Sequence, residues 1–522
     1  MFLDRDHSIA PAGYSRWRVP PAALAIHLAI GQAYAFSVFN LPLSTLVGID
    51  KAAPTDWKLS TIGWIFSTAI VCLGLSAFTF GRWLEDAGPR KAMFCAAVCF
   101  AGGFCVAALG VQLHQIWIIY LGYGVIGGIG LGLGYISPVS TLIKWFPDKP
   151  GMATGLAIMG FGGGAMIGAP LANLLMTHFR TPTDVGVAQT FLCLGVIYFV
   201  FMMGGAFGYR VPPSHWQPEG WAPPPPDTKS MITHGQVRRW VAVGTPQFWL
   251  IWAVLFLNVS AGIGVIGMAS PMLQEIFGGA LIGHPDIGFT ALDDSQKKAI
   301  AAIAAGFAGL ISLFNIAGRF FWASMSDRIG RKNTYFTFFL LGIACYALSP
   351  WAAHAGSKVL FVAFVCIILS MYGGGFATVP AYLADMFGTL YVGAIHGVLL
   401  TAWSAAGILG PVIVNYVREF EIAAGVPRDL VYDRIFYALA CLLVLGFIAN
   451  LLIRPVNRKR FMSVEEVVAV TGARAAEHAH DASRGIGRGG LTPAAVPAWL
   501  VVGIPIAWGV WVTVQTAMKL FG

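Results

Sequence analysis

Charged residues are scarce in this chain, where they make up only 11% of 522 residues. A soluble domain carries roughly 25%. Hydrophobic residues reach 57% and the mean hydropathy is +0.71, so polar residues are too few to cover a water-soluble fold. Apolar runs of about 20 residues recur along the whole length and indicate transmembrane helices. Since strand-like alternation is missing, which argues against a membrane β-barrel, we predict an all-α membrane protein.

Features that would mark other classes of protein are also missing. The net charge is +9, but the basic residues stand in short flanks between apolar runs, which excludes nucleic acid as a partner. The eight cysteines form no CxxC pair. The polar segments contain no nucleophile–base set, metal cluster or phosphate loop, so we expect neither an enzyme nor a cofactor or metal site. GYGVIG at 122–127 lacks the strand and acidic residue of a dinucleotide site and indicates helix packing instead.

The apolar runs form two groups of six spans and one further span. We predict spans near 21–47, 59–82, 92–112, 115–143, 151–178, 187–209, 247–276, 299–325, 334–353, 358–386, 391–417, 431–453 and 494–518. The predicted organisation is an N-terminal segment (1–20), a six-helix half (21–210), a proline-rich central loop (211–245), a second six-helix half (246–454), a tether (455–491) and an extra transmembrane helix (492–522).

The distribution of lysine and arginine predicts how the spans are oriented. If the amino terminus is cytoplasmic, 22 of the 33 basic residues fall on the inner side and 10 on the outer side. The remaining one is Arg319, inside the eighth span. We therefore expect a multi-pass protein of the inner (cytoplasmic) membrane, with a cytoplasmic amino terminus, central loop and tether.

An internal repeat supports the division into six and six spans. The loop GRWLEDAGPRK (81–91) parallels ASMSDRIGRK (323–332), and three landmarks keep nearly the same spacing between the halves. Gly88 and Gly330 lie 242 residues apart, Pro138 and Pro380 also 242, and Pro170 and Pro411 241. Two such halves facing each other create a cleft, and folds of this kind bind substrate near the middle of the membrane.

These two loops resemble the signature of the major facilitator superfamily, with Glu85 at the usual aspartate place of the first copy. The stretches 123–170, which begins YGVIGGIGLG, and 372–388 (YGGGFATVPAYLADMFG) resemble the oxalate/formate antiporter family within it. The resemblance covers roughly residues 20–455. It implies the major facilitator fold and transport of small carboxylates across a bacterial inner membrane. Residues 494–518 resemble a one-span companion protein of such transporters, here fused to the carboxyl end.

Arg319 is the main candidate for a binding residue. An arginine inside a span costs roughly 2.5–3.5 kcal/mol on insertion scales and normally requires a partner. It lies about 12 Å from Asp327 at the end of the span, so snorkelling towards the headgroups is an alternative. All 24 Asp and Glu residues fall in loops or near span ends, which leaves no carboxylate at its depth. We predict an unpaired guanidinium that lines the cleft and grips a carboxylate, and the resemblance implies a substrate-binding arginine at this place.

Aromatic and amide side chains are expected to complete the binding pocket. The candidates are Gln32, Tyr34, Tyr123, Tyr135, Tyr372, Phe376 and Trp403. An aromatic residue at such a position is more often core or lipid-facing than part of a pocket, and the resemblance favours Tyr34, Tyr372 and Trp403 as pocket residues. The resemblance implies a lysine three positions after the tryptophan, where this sequence has Ala406. One fixed cation matches a monoanion better than a dianion, which favours formate, lactate or pyruvate and leaves oxalate open.

The predicted function is secondary active transport of a small carboxylate by alternating access, as an anion exchanger, because no acid at mid-membrane can carry a proton. His27 keeps a proton-coupled monocarboxylate symporter open as an alternative. The extra span leaves room for a non-transporting membrane sensor or assembly partner. The loop charges Glu85, Arg90, Asp327 and Arg331 are predicted to latch the halves together on the cytoplasmic side. The predicted partners are the carboxylate and the lipid bilayer, and the chain is predicted to be a monomer.

Overall fold

The computed structural model describes residues 3, 5–11, 13–49, 53–213, 216–221, 231–233, 235–476 and 493–518. Within these ranges thirteen helices are long and apolar enough to cross a membrane, as predicted. We number them α1 to α13: Arg16–Leu43, Leu59–Ala87, Pro89–Gln112, Ile116–Trp145, Pro150–Phe179, Val187–Gly208, Pro246–Phe277, Asp294–Ile329, Arg331–His354, Lys358–Phe387, Val392–Ala423, Asp433–Leu452 and Val496–Met518. The chain is a multi-pass membrane protein.

Local sequence signals explain where several helices begin. Pro89, Pro150 and Pro246 occupy first-turn positions, where the missing N–H costs nothing. A capping box between Asp293 and Gln296 starts α8. Three helices depart from regular geometry. Helix α1 tightens to a 3-10 helix over Gly31–Phe39, α4 widens to a π-helix over Tyr120–Gly127, and α11 is interrupted at Leu400. Such departures inside a helix often mark functional segments.

The six-plus-six division is visible in the packing. In the first half α1 packs on α5, α2 on α4 and α3 on α6; in the second half α7 packs on α11, α8 on α10 and α9 on α12. The same three pairings therefore occur twice. The repeated loops also share a backbone conformation, since Gly88 has φ 85° and ψ 158° and Gly330 has φ 85° and ψ 150°. Both angles lie where a residue with a Cβ atom would be strained.

Glycines let neighbouring helices approach closely, as GYGVIG predicts. Gly124, Gly128 and Gly132 of α4 all face α2, where their nearest neighbours are Thr68, Cys72 and Ser76 respectively. Gly160, Gly164 and Gly168 face α1 in the same way, against His27, Gly31 and Gln32. The GxGxxG stretch is therefore a packing surface, in line with small-residue helix crossings in membranes.

The two halves meet along α5 with α8 and α10, and along α2 with α11. We call this contact surface the seam, and we call the end of the bundle that carries the Gly88 and Gly330 loops the linker end. At the linker end the seam is tight. A Cβ atom on Gly155 of α5 would lie 2.8 Å from the carbonyl oxygen of Arg319, and one on Gly81 of α2 would lie 3.3 Å from the Cα atom of Ala394. The halves are therefore closed against each other at this end.

Helix α13 crosses the seam on its membrane side. Near the linker end, Trp499 Nε1 donates to the carbonyl oxygen of Trp17 at 3.0 Å, and Val502 packs on α1. At the opposite end α13 contacts α8, where Gly309 lies against Thr513. This helix therefore holds the first half at one end and the second half at the other. The predicted tether differs in one respect: it contains a helix, Val464–Ala476, and residues 477–492 lie outside the described part.

Candidate functional site

Arg319 lies ten residues before the end of α8 at Ile329, or about 15 Å along the helix axis. Its side chain is 0% exposed. Nη1 donates to the carbonyl oxygen of Ile158 on α5 at 3.2 Å, and Nε donates to Asn315 Oδ1, one turn earlier on α8, at 3.1 Å. The guanidinium therefore bridges the two halves. It is enclosed between the halves in this conformation, whereas the sequence predicts one that lines a cleft.

No carboxylate pairs with Arg319 among the described residues, whose ion pairs all involve other side chains. Aromatic rings flank the cation instead: its central carbon lies 5.4 Å from the Phe376 ring centre and 5.9 Å from that of Phe161. Such contacts contribute about 0.5–2 kcal/mol each. Nη2 has no hydrogen-bond partner, although the Tyr34 hydroxyl lies near enough to interact with the guanidinium. The cation therefore keeps binding capacity that the protein does not use.

Trp403 stands at the centre of a group of aromatic rings contributed by both halves. Its ring centre lies 4.5 Å from Phe376, 5.2 Å from Phe161, 5.3 Å from Tyr135 and 6.2 Å from Tyr34. We call these five residues the aromatic cage. Because Phe161 and Phe376 also flank Arg319, the cage and the cation belong to one site.

The cage contains polar groups that the protein leaves unsatisfied. The Trp403 Nε1 and the Tyr135 hydroxyl are buried and have no hydrogen-bond partner, as is the case for Arg319 Nη2. A buried donor without an acceptor costs about 1–3 kcal/mol, so such groups usually indicate a missing ligand or water. An N–H of a cation, an indole N–H and a phenol O–H can all donate to one carboxylate, whose two oxygens offer about four acceptor sites.

A contact between two tyrosines closes the cage between α1 and α10. The hydroxyl oxygens of Tyr34 and Tyr372 lie 3.1 Å apart and form a hydrogen bond that joins the two halves. Tyr372 packs on Phe376 with ring centres 5.3 Å apart.

Tyr372 packs on the cage from outside, and two other predicted pocket residues lie away from it. The Tyr123 hydroxyl donates to Gln32 Oε1 at 3.2 Å, and the Tyr123 ring packs 4.5 Å from Phe36. Gln32 faces Gly168 at the contact of α1 with α5. The contacts of Tyr123 and Gln32 thus lie within the first half, among residues that are not part of the cage. Ala406, at the position where the resemblance implies a lysine, is buried.

Three residues of the site were not singled out from the sequence. Asn315 lies four residues before Arg319, and that spacing on a helix is a detectable signal for a partner. Ile158 contributes only its carbonyl oxygen, which no side-chain pattern reports. Phe161 stands in a glycine-rich stretch, where one aromatic residue carries no particular signal.

At the linker end, Asp327 joins the two halves. Its carboxylate accepts the backbone N–H groups of Gly151 at 2.8 Å and Met152 at 2.9 Å, in the first turn of α5. Free N–H groups and the helix dipole both favour an anion there. Arg331 pairs with Asp327 at 2.7 Å and with Asp385 at 3.0 Å, which fixes the carboxylate in place.

The first copy of the repeat loop is placed differently. Arg90 is buried, and its Nη2 donates to the carbonyl oxygen of Tyr209 at 3.5 Å, within the same half. The side chain of Glu85 lies outside the described residues. The hydrogen bonds of Asp327 to the first turn of α5 thus link the two halves through the second copy of the loop.

Comparisons with known proteins agree with this fold. The sequence profile of the Major Facilitator Superfamily matches residues 22–411. The chain is 24% identical over 389 residues to the oxalate:formate antiporter of Oxalobacter formigenes, which covers 74% of this chain and 81% of that protein. It is also 24% identical over 410 residues to apicoplast pyruvate carrier 1 of Toxoplasma gondii, covering 68% of this chain and 70% of the carrier.

Solved structures show the same architecture at low sequence identity. The major facilitator transporter FucP in its outward conformation superposes with a TM-score of 0.57 at 14% identity, covering 84% of this chain and all (100%) of that one. The proton:xylose symporter XylE gives a TM-score of 0.57 at 15% identity, covering 87% and 99%.

Proposed function

This chain belongs to the Major Facilitator Superfamily of transporters, and we propose that it carries a small carboxylate across the membrane by alternating access. Arg319 binds the anion between the two halves, which rock about it. The observation that carries this proposal is the buried guanidinium with an unpartnered Nη2, beside the unpartnered donors of Trp403 and Tyr135. A carboxylate supplies the acceptors and the negative charge that this site lacks.

A monocarboxylate fits the site better than a dianion. Arg319 is the cation of the cage, and Ala406 offers no second one. A dianion would leave one buried negative charge unpaired, which costs several kcal/mol. The names of the relatives, an oxalate:formate antiporter and a pyruvate carrier, agree with this class of substrate. Formate, lactate and pyruvate are therefore the preferred candidates.

The unsatisfied donors also favour exchange over net transport. When the empty site is enclosed, at least three buried donors have no acceptor, at about 1–3 kcal/mol each. A bound carboxylate removes that penalty, so the loaded protein changes conformation faster than the empty one. Vesicles preloaded with unlabelled formate should take up labelled formate at least tenfold faster than vesicles loaded with buffer. Equal rates would exclude obligatory exchange while leaving carboxylate transport intact.

The arginine itself provides the direct test. In proteoliposomes, Arg319→Ala should abolish counterflow of formate and lactate, and Arg319→Lys should keep only a small fraction, because an ammonium does not reproduce the two parallel hydrogen bonds. Arg454→Ala, which removes an exposed arginine beyond the end of α12, is the matched control and should transport normally. All three variants must elute as folded protein of wild-type size. Near-normal uptake by folded Arg319→Ala would refute the proposal.

The basic residues support an inner-membrane location with the linker end in the cytoplasm. In that orientation, 22 of the 33 basic residues, including those of the repeat loops, the central loop and the tether, face the cytoplasm. The aromatic cage is built from a single chain, so a monomer suffices for transport.

A specific observation keeps proton-coupled symport as the second candidate. Both ring nitrogens of His27 face carbonyl oxygens, Nδ1 that of Ala157 and Nε2 that of Tyr135 at 3.2 Å. Only the doubly protonated ring donates to both. His27 also stacks on Tyr135 of the cage, with ring centres 5.3 Å apart. Uptake driven by an imposed pH gradient into anion-free vesicles, lost in His27→Gln, would favour symport over exchange.

A further inference from the structure

A groove of about 410 Å³ lies on the membrane face of the first half, close to the linker end. Its floor is α1, at Pro21, Ala22 and Ala25, and its two walls are α6 and α13. On α6 the wall is formed largely by glycines, so little side-chain volume fills the space. The volume falls within the range of roughly 300–1,000 Å³ that is typical of small-molecule sites.

The groove opens sideways, towards the acyl chains of the bilayer. Val200 on α6 and Val501 on α13 line it and are 64% and 57% exposed. In a membrane-spanning protein, exposed apolar side chains at this depth face lipid. An occupant therefore enters from the membrane, and the part of it that lies between α6 and α13 is apolar.

The linker end of the groove has the opposite character. Arg18 and Tyr14 line it there, and the Arg18 guanidinium carbon lies 5.1 Å from the centre of the Tyr14 ring. Arg210, just beyond the end of α6, interacts electrostatically with the same tyrosine. Its Nη1 donates to the carbonyl oxygens of Phe207 and Tyr209, both at 2.9 Å, which holds the cation at this position.

These two arginines have no ion-pair partner in the part of the chain that the structure describes. Arg16, on the same segment, provides the contrast, because it binds both carboxylate oxygens of Asp148 at 2.6 and 3.0 Å. Arg18 and Arg210 thus place two unneutralised positive charges at the membrane surface, at the mouth of an apolar groove.

We propose that the groove binds an acidic phospholipid, with one acyl chain between α6 and α13 and the phosphate on Arg18 and Arg210. A free phosphate would leave the apolar part of the groove unfilled, and a zwitterionic lipid such as phosphatidylcholine brings a choline cation with its phosphate, so it does not neutralise the two arginines. Because α13 forms one wall, the bound lipid joins this extra helix to the first half. The proposal stands independently of what the transporter carries.

Native mass spectrometry of the full-length protein in detergent, titrated with dioleoylphosphatidylglycerol or dioleoylphosphatidylcholine, tests this site. The wild type should prefer phosphatidylglycerol. A basic residue near an anionic headgroup contributes about 1 kcal/mol, so the double variant Arg18→Gln/Arg210→Gln should lose roughly 25-fold in affinity for phosphatidylglycerol and little for phosphatidylcholine. Arg454→Gln, an exposed arginine at the corresponding end of the second half, is the charge control and should bind within about twofold of the wild type.

A second variant tests the groove itself. A Cβ atom at Gly204 meets open space, so Gly204→Phe fills the groove without moving the backbone and should abolish binding of the first phosphatidylglycerol. Gly102→Phe on α3, where a Cβ atom also meets open space, is the matched control. Unchanged affinity in the double arginine variant overturns the proposal. The proposal is also overturned if the double arginine variant loses affinity for phosphatidylglycerol while Gly204→Phe binds it normally. That result would mean that the arginines attract the lipid at the surface and that the groove does not hold it.

Discussion

The contact of Asp327 with the first turn of α5 should control how long the linker end stays closed. Asp327 accepts two backbone N–H groups from the other half, at 2.8 and 2.9 Å. Hydrogen bonds to a charged group contribute about 1.5–3 kcal/mol each. Asp327→Asn keeps the size of the side chain but loses the charge, and its amide NH₂ cannot accept from either N–H. We expect the closed conformation to lose about 3 kcal/mol, or roughly a hundredfold in its equilibrium with the open one.

The distance between the halves reports this equilibrium directly. Spin labels on cysteines at the exposed positions Arg82 and Asn333, one in each half at the linker end, measure it by double electron–electron resonance. The eight native cysteines are first replaced by serine. The parent protein should give one population of short distances, and Asp327→Asn should add a longer one that grows at the expense of the first.

Asp56→Asn is the matched control for this experiment. Its carboxylate also accepts backbone N–H groups, from Val47, Gly48 and Ala53 at 2.8–3.0 Å, but all of them lie in the loop between α1 and α2 of one half. It should therefore leave the distance distribution unchanged. An identical distribution in Asp327→Asn and its parent would show that this carboxylate does not stabilise the closed state.

Three further variants test other parts of the structure. Glu275→Gln breaks a buried cluster in which Glu275 binds Arg418, Arg428 and Tyr432; it should lower stability by about 3–5 kcal/mol, seen as a lower melting temperature in detergent, without changing substrate affinity. Gly155→Ala places a Cβ atom 2.8 Å from the carbonyl oxygen of Arg319 and should open the linker end in the spin-label assay. Trp403→Phe keeps an aromatic side chain but removes Nε1–H and replaces the indole with a smaller ring; it should weaken substrate binding about tenfold, measured as KM for counterflow, and an unchanged KM would show that the indole N–H does not bind substrate.

The number of long apolar runs determines the number of spans, so the hydropathy pattern of the sequence predicts thirteen. The ends of the helices follow polar signals that a hydropathy pattern misses. The eighth span is predicted at 299–325, whereas α8 runs from Asp294 to Ile329 because the Asp293 capping box starts it among polar residues. The helix Val464–Ala476 was missed for the same reason. Its start does carry a polar signal, because Ser463 and Glu466 form reciprocal side-chain-to-backbone hydrogen bonds of the capping-box type.

The binding site was only partly predictable from the sequence. Arg319 stands out because an arginine inside a span is costly, and that argument needs no structure. The membership of the cage needed the fold, because Tyr135 and Tyr123 occupy the same helix and look alike in the sequence, yet only Tyr135 contacts Trp403. The enclosure of Arg319 depends on how far the halves have closed, which no local pattern encodes.

If Arg319 binds the substrate as proposed, its position connects that binding to the closure of the seam. One helix, α8, carries both Arg319 and Asp327, and both contact α5, through the carbonyl oxygen of Ile158 and through the N–H groups of its first turn. A carboxylate binds a guanidinium more strongly than a neutral carbonyl does. An arriving anion that takes two N–H groups of Arg319 therefore competes with Ile158 for Nη1. The bond to Ile158 is one of the links between the halves in this structure, and under the proposed function the substrate would replace it with contacts to the cage residues of both halves. The anion thus weakens one link across the seam as it forms others. Its binding can therefore shift the balance between the conformations with the linker end closed and open.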